Sequence, residues 1–111
     1  MSKLLSGRQL SFRVGFTDPD VARIHLDGEL DGPGGADLAD ALDGMISAGV
    51  QCVEIDAHGV TAAEEPAVLQ MVAHADSFRL RGGWLRVVQP SAPMWRAVVA
   101  AGAGPVLLLV R

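Results

Sequence analysis

Two consecutive carboxylates, Glu64 and Glu65, followed by Pro66, stand where an apolar strand pattern (Cys52 to Asp56) gives way to a helical one. A strand-to-helix loop turns backbone N–H groups and the positive end of a helix towards the surface, ready for a phosphate or a partner. Segment 59–69 instead offers fixed negative charge at the helix start, and its only hydroxyl is Thr61. Plain helix-end chemistry also accounts for the pair. Carboxylates in a first turn complement the macrodipole by ~0.3–1 kcal/mol each, and proline suits the first helical position. Thr61-Ala62-Ala63-Glu64 matches a capping box. That cap would start the helix at Ala62 and put Pro66 where its missing N–H costs a bond. Thr61 is therefore expected as a loop residue packed under the turn.

Other groups capable of chemistry do not assemble. His25 alternates outward on a strand, His58 follows Asp56 in a loop, and His74 sits mid-helix, none with the spacing of metal ligands. Cys52, the one cysteine, reads as a small hydrophobe in a central strand. Without a helix end or basic neighbour its thiol is a poor nucleophile. Gly32-Pro33-Gly34-Gly35 is glycine-rich, but its proline and the nearby Asp31 and Asp37 make a poor phosphate cradle. Asp31 is placed to hydrogen-bond backbone in that turn. No catalytic residue, metal or cofactor is expected. Met94 and Trp95 are candidate apolar anchors if either lies exposed.

The 111 residues suffice for one domain and one core. Nine Lys and Arg against 13 Asp and Glu give a net charge of −4, which argues against a nucleic-acid binder. A single cysteine fits a reducing compartment. The N-terminal residues lack signal-peptide character, and the apolar run 106–110 is far short of the ~20 residues that cross a bilayer. The expectation is a soluble cytoplasmic protein without membrane insertion, a monomer or a weak dimer paired through its first or last strand.

Hydrophobic periodicity supplies the elements. Residues 9–16 alternate, with Leu10, Phe12, Val14 and Phe16 on one side, and 21–26 alternate again, so the first two strands form a hairpin. Gly32-Pro33-Gly34-Gly35 breaks the chain before a helix striped by Leu38, Leu42, Met45 and Ile46, which Gly49 ends. A third strand follows at 50–56, a helix at 68–81, a fourth strand at 84–88, a short helix at 93–101 and a last strand at 106–110. Strands joined by helical crossovers run parallel. The fold class is α/β: a mixed, mostly parallel sheet of about five strands with an antiparallel N-terminal hairpin and helices packed on it.

This series resembles the STAS domain, the fold of bacterial anti-sigma factor antagonists. Ile24-His25-Leu26-Asp27-Gly28-Glu29-Leu30-Asp31 is similar to its apolar G-x-L-D signature. The run from Val53 to Thr61 is similar to its central strand, Gly82-Gly83-Trp84-Leu85-Arg86-Val87-Val88 to its following strand, and Met94 to Gly102 to its short helix. The resemblance covers about 9–110 and implies a single STAS-like domain over 1–111. The first four residues of the family's switch motif, Asp-Ser-Ser-Gly-Leu, fall on Glu64, Glu65, Pro66 and Ala67, so the resemblance puts Pro66 where the family has its phosphorylated serine. The resemblance thus implies a scaffold and a binding surface (Asp31, Thr61, Glu64, Glu65, Pro66 and Val68) with no phosphosite. It implies as partner an anti-sigma factor of the histidine-kinase-like ATPase type. Two other readings stand beside it: an accessory subunit of a lipid or solute transporter ATPase, and a small-ligand binder using the loop cleft.

Overall fold

A computed structural model describes residues 10–18 and 20–110. The chain runs β1 (Leu10–Asp18), β2 (Val21–Leu30), α1 (Gly32–Ser47), β3 (Cys52–Ala63), α2 (Glu65–Leu80), β4 (Trp84–Val88) and α3 (Ala92–Ala100). The sheet order is β1-β2-β3-β4, with β1 antiparallel to β2 and the remaining pairs parallel. This is the expected α/β arrangement.

Register explains which face became the core. Directly paired residues share a face, so Ala22, Ile24, Val53, Ile55, Leu85 and Val87 form one continuous apolar surface. Leu38 and Leu42 of α1, and Val68, Met71, Ala75 and Phe78 of α2, close over it, and α3 adds Met94 and Val98. All three helices end alike. The N–H of Val50, Gly83 or Ala103 reaches back to the carbonyl of Met45, Phe78 or Val98, and the residue before it is a glycine with positive φ. Only a left-handed C′ residue lets the chain close that motif.

The structure corrects the sequence reading at four places. Among the described residues the sheet has four strands, not about five: 106–110 coils into turns and meets β4 through one parallel bridge, Val88 to Val110, and a bond from Val87 N–H to Leu107 O. Leu107, Leu108 and Leu109 donate to the carbonyls of Ala103, Pro105 and Gly104, and Leu108 has φ of 49°, so the run never extends. Its five apolar residues carry no alternation that could separate strand from turn. Gly32-Pro33-Gly34-Gly35, expected as a break, is the first turn of α1. Asp31 caps it by accepting from Gly34 N at 2.8 Å, and proline in a first turn loses no helical bond. β3 continues to Ala63 instead of stopping at Asp56, following β2 through two register shifts. Finally, Val14 and Phe16 point towards the helix side but lie beyond the helices' reach at the sheet edge, 50 % and 62 % exposed.

Candidate functional site

The long β3 moves the site. Thr61 and Ala62 belong to the strand, exposed, with Ala62 and Ala63 paired to Glu29 and Leu30. Thr61 is therefore neither a helix cap nor a residue packed beneath a turn. Glu64 alone makes the turn into α2. Its N–H donates to Leu30 O (2.9 Å), and its extended backbone makes it the N-cap residue, without a side-chain cap bond. Its carbonyl accepts from Ala67 and Val68 (3.1 and 3.2 Å). Pro66 has no N–H, so the start of α2 presents carboxylates in place of the amide cradle that binds anions at other helix ends.

Glu64, Glu65 and Pro66 are all exposed, as is Thr61 three residues before them on β3. Val68 does not join them. It is fully buried against the sheet, so it positions α2 and cannot touch a partner. Asp31 is half-buried and its carboxylate is engaged as the α1 cap, which makes it a scaffold residue next to the loop. The link is physical: Leu30, whose carbonyl receives the Glu64 amide, immediately precedes it. Gly35 sets the spacing of the two helix starts, since a Cβ there would lie 3.0 Å from Ala67 Cβ and 3.0 Å from Gln70 Oε1.

α3 forms the other wall. Ser91 caps it, accepting from Met94 N at 3.3 Å, and Ser91 N donates to Ala57 O at 3.1 Å, which fixes α3 to β3. Met94 is buried and Trp95 half-buried, so of the two candidate anchors only Trp95 reaches the surface. An open depression of about 450 Å³ is lined by Thr61, Ala62, Ala63, Pro93, Arg96 and Ala97, among others. A second, of about 460 Å³, is lined by Gln89, Pro90, Ala92, Trp95 and Arg96. Arg96 borders both. The first depression thus joins the small side chains at the end of β3 to the exposed Arg96, and Ala63 in its lining is followed directly by Glu64. Arg96 was missed in sequence because nothing local marks a lone arginine on a nine-residue helix; the crossover connection brings it beside β3.

A second constellation lies on the sheet face opposite α1 and α2. Arg23 and His25 of β2, Glu54 and Asp56 of β3, and Trp84 and Arg86 of β4 are register partners or neighbours on that face. Arg23 bonds both Glu54 and Asp56 at 3.1 Å. Arg86 Nε donates to Glu54 at 3.0 Å while its guanidinium stacks 4.6 Å from the Trp84 ring centre. His25 Nδ1 lies 3.3 Å and His58 Nδ1 2.7 Å from Asp56, so two histidines expected to stand apart converge on one carboxylate. Burial pushes the Asp56 carboxyl up, but the bonds from the His58 ring and amide and from Arg23 outweigh it and hold it below its ordinary range. The Asp56 carboxylate in turn raises His58, first through their hydrogen bond and then through its charge. The period-two placement of Arg23/His25 and Glu54/Asp56 was the available signal. His74 is separate, bridging Gln70 O and Asp43 at 3.0 and 2.9 Å. Among the described residues no group of His, Cys, Asp or Glu is disposed to hold a metal, and no helix is long and apolar enough to cross a membrane.

Comparison with known proteins agrees with this architecture. The sequence model of a family described as "Mlab, STAS domain" matches residues 16–110. An anti-sigma factor antagonist from Mycobacterium paratuberculosis superposes with a TM-score of 0.80 at 17% identity, over 96% of this chain and 90% of that one. The anti-sigma factor antagonist SpoIIAA in its unphosphorylated form gives 0.78 at 16% identity, over 91% and 89%. The phosphorylated form of SpoIIAA, a Bacillus cell fate determinant, gives 0.71 at 17% identity, over 91% and 92%. These structures share the fold. No curated protein matches the sequence.

Proposed function

Since the chain belongs to the STAS domain family, we propose that it is a non-catalytic, protein-binding regulatory domain of the anti-sigma factor antagonist kind, not phosphorylated at its loop. The observation that carries this reading is the start of α2, where Glu64, Glu65 and Pro66 are exposed; by the resemblance in sequence, Pro66 falls at the family's serine position. The contact surface comprises Thr61, Glu64, Glu65 and Pro66 with the neighbouring face of α3, and Arg96 faces a partner carboxylate. The partner is an anti-sigma factor of the histidine-kinase-like ATPase type, in the cytoplasm, and no nucleic acid is bound. Competition is the mechanism: by occupying this surface of the kinase, the domain displaces the sigma factor. A glutamate carries one charge against about −1.5 to −2 for a phosphoserine, so Glu65 only partly imitates a phosphorylated state. The Asp56–His58 pair is structural, because the His58 ring makes its bond to Asp56 and meets no hydroxyl or thiol among the described residues.

Incubation with a candidate kinase and ATP, followed by mass measurement, tests the central claim. The expected mass is unchanged; a phosphate on Thr61 overturns it. One observation favours a second reading, the accessory subunit of a transporter ATPase: a helix start without a hydroxyl suits a complex that is never switched by phosphate. Co-purification from native cells separates the two by whether an anti-sigma kinase or a transporter ATPase is recovered. Recovery of no protein would favour a small-ligand binder.

A further inference from the structure

Among the described residues the outer edge of β1 pairs with no strand, and it is apolar where edge strands are ordinarily guarded. An edge strand exposes a row of N–H and C=O groups that template another strand, and proteins blunt it with lysine, proline or a bulge. Between Phe12 and Phe16 β1 carries one charge, Arg13, and its irregularity lies beyond that stretch, between Phe16 and Asp18. Val14 and Phe16 stand 50 % and 62 % exposed on the helix side, next to partly buried Phe12. α1 and α2 cover β2 to β4 and leave this strip open.

We infer that β1 is a homodimerisation edge, pairing antiparallel with β1 of a second copy about a two-fold axis through Val14. The strand's own sequence selects this occupant. A two-fold axis normal to the sheet keeps the helices of both copies on one side, so residues of equal parity must face each other. Centred on Val14, the pairing sets Val14 against itself and Phe12 against Phe16 of the second copy, which joins six apolar side chains into one strip. It also sets Arg13 against Gly15 of the second copy, and a Cβ on Gly15 would meet nothing within 4 Å, so the arginine stem has room. Centring on Arg13 would instead oppose like charges. One strand pair buries much less than the ~1,600 Å² of a standard interface, so the dimer is reversible and dissociates on dilution. β4, and with it the α3 surface, lies at the opposite edge of the sheet from β1. The inference does not depend on the proposed function.

Sedimentation of the full chain across micromolar to millimolar concentrations tests it. The apparent mass rises towards twice the monomer for the native chain and stays at one monomer for Val14→Lys, an exposed position where the fold tolerates the change. Independently, in a Cys52→Ser background, Val14→Cys oxidises to a covalent dimer, because paired antiparallel residues place their Cα atoms about 4.5–5.5 Å apart, within disulfide range. Leu80→Cys, 83 % exposed on α2, serves as the collision control and cross-links at least about tenfold more slowly. A native chain that stays monomeric to millimolar concentration overturns the inference. So does a dimer that survives Val14→Lys, or equal cross-linking at the two positions.

Discussion

Replacing Asp56 with asparagine keeps the shape of the side chain and removes the charge on which Arg23, His25 and His58 converge. Asp56 is 3 % exposed, so its partners do not recover full hydration when it is neutralised. Breaking a buried ion pair by removing one member costs ~3–5 kcal/mol. Here the Arg23 and His25 side chains keep 26% and 33% of their exposure, and Arg23 retains its bond to Glu54, so solvent and the surviving pair offset part of the loss. We expect a loss of about 2–3 kcal/mol, which lowers Tm by roughly 10–15 °C for a domain of this size. Urea titration followed by far-ultraviolet circular dichroism reads it directly, with m unchanged. The gap between native chain and variant also depends on pH. His58 is raised above its ordinary 6.5, so its contribution is complete below that value and is lost as pH rises through the raised one. Asp56 is lowered below 3.8, so its contribution holds above that value and is lost as pH falls through the lowered one. The gap is therefore widest between pH 4 and 6.5, by these ordinary values. A loss under about 1 kcal/mol, or a gap that widens from neutral to alkaline pH, would refute the account of this network.

Gly35→Ala forces a methyl group to 3.0 Å from Ala67 and is expected to cost about 1–3 kcal/mol by overpacking; thermal unfolding measures it. Ser91→Ala removes the α3 cap and is expected to cost about 1 kcal/mol, read by the same assay. Glu64→Gln with Glu65→Gln is expected to cost about 0.6–2 kcal/mol through the lost complement to the helix macrodipole, leaving the chain folded, and to weaken partner capture severalfold in salt-dependent fashion. An unchanged affinity in that double variant would remove the anionic helix start from the contact surface. Arg96→Ala is expected to weaken the same complex without lowering Tm, measured by titration calorimetry and thermal unfolding together.

Local pattern carried the central elements well. Ile24, Leu26, Val53, Ile55, Leu85 and Val87 alternate or cluster as buried strands do, and Leu38 and Leu42 keep helical spacing, so strand and helix types and the parallel crossovers were legible. What failed were signals that local residues share between two outcomes. Pro33 with three glycines reads as a break, yet Asp31 capping and the close approach to Ala67 make the same residues a first helical turn. The run 106–110 reads as strand, yet left-handed Leu108 coils it.

For the candidate site, the residue types were set in the chain itself: two glutamates and a proline at a helix start are legible without coordinates. Tertiary structure decided which of them a partner could touch. It buried Val68, engaged Asp31 as a cap, and drew Thr61 into the strand, because β3 follows β2 for twelve residues rather than seven. It also gathered Arg23, His25, Glu54, Asp56 and His58 on one face and placed Arg96 beside Thr61. Such neighbours meet only through strand register and crossover, which are long-range properties that no window of sequence contains.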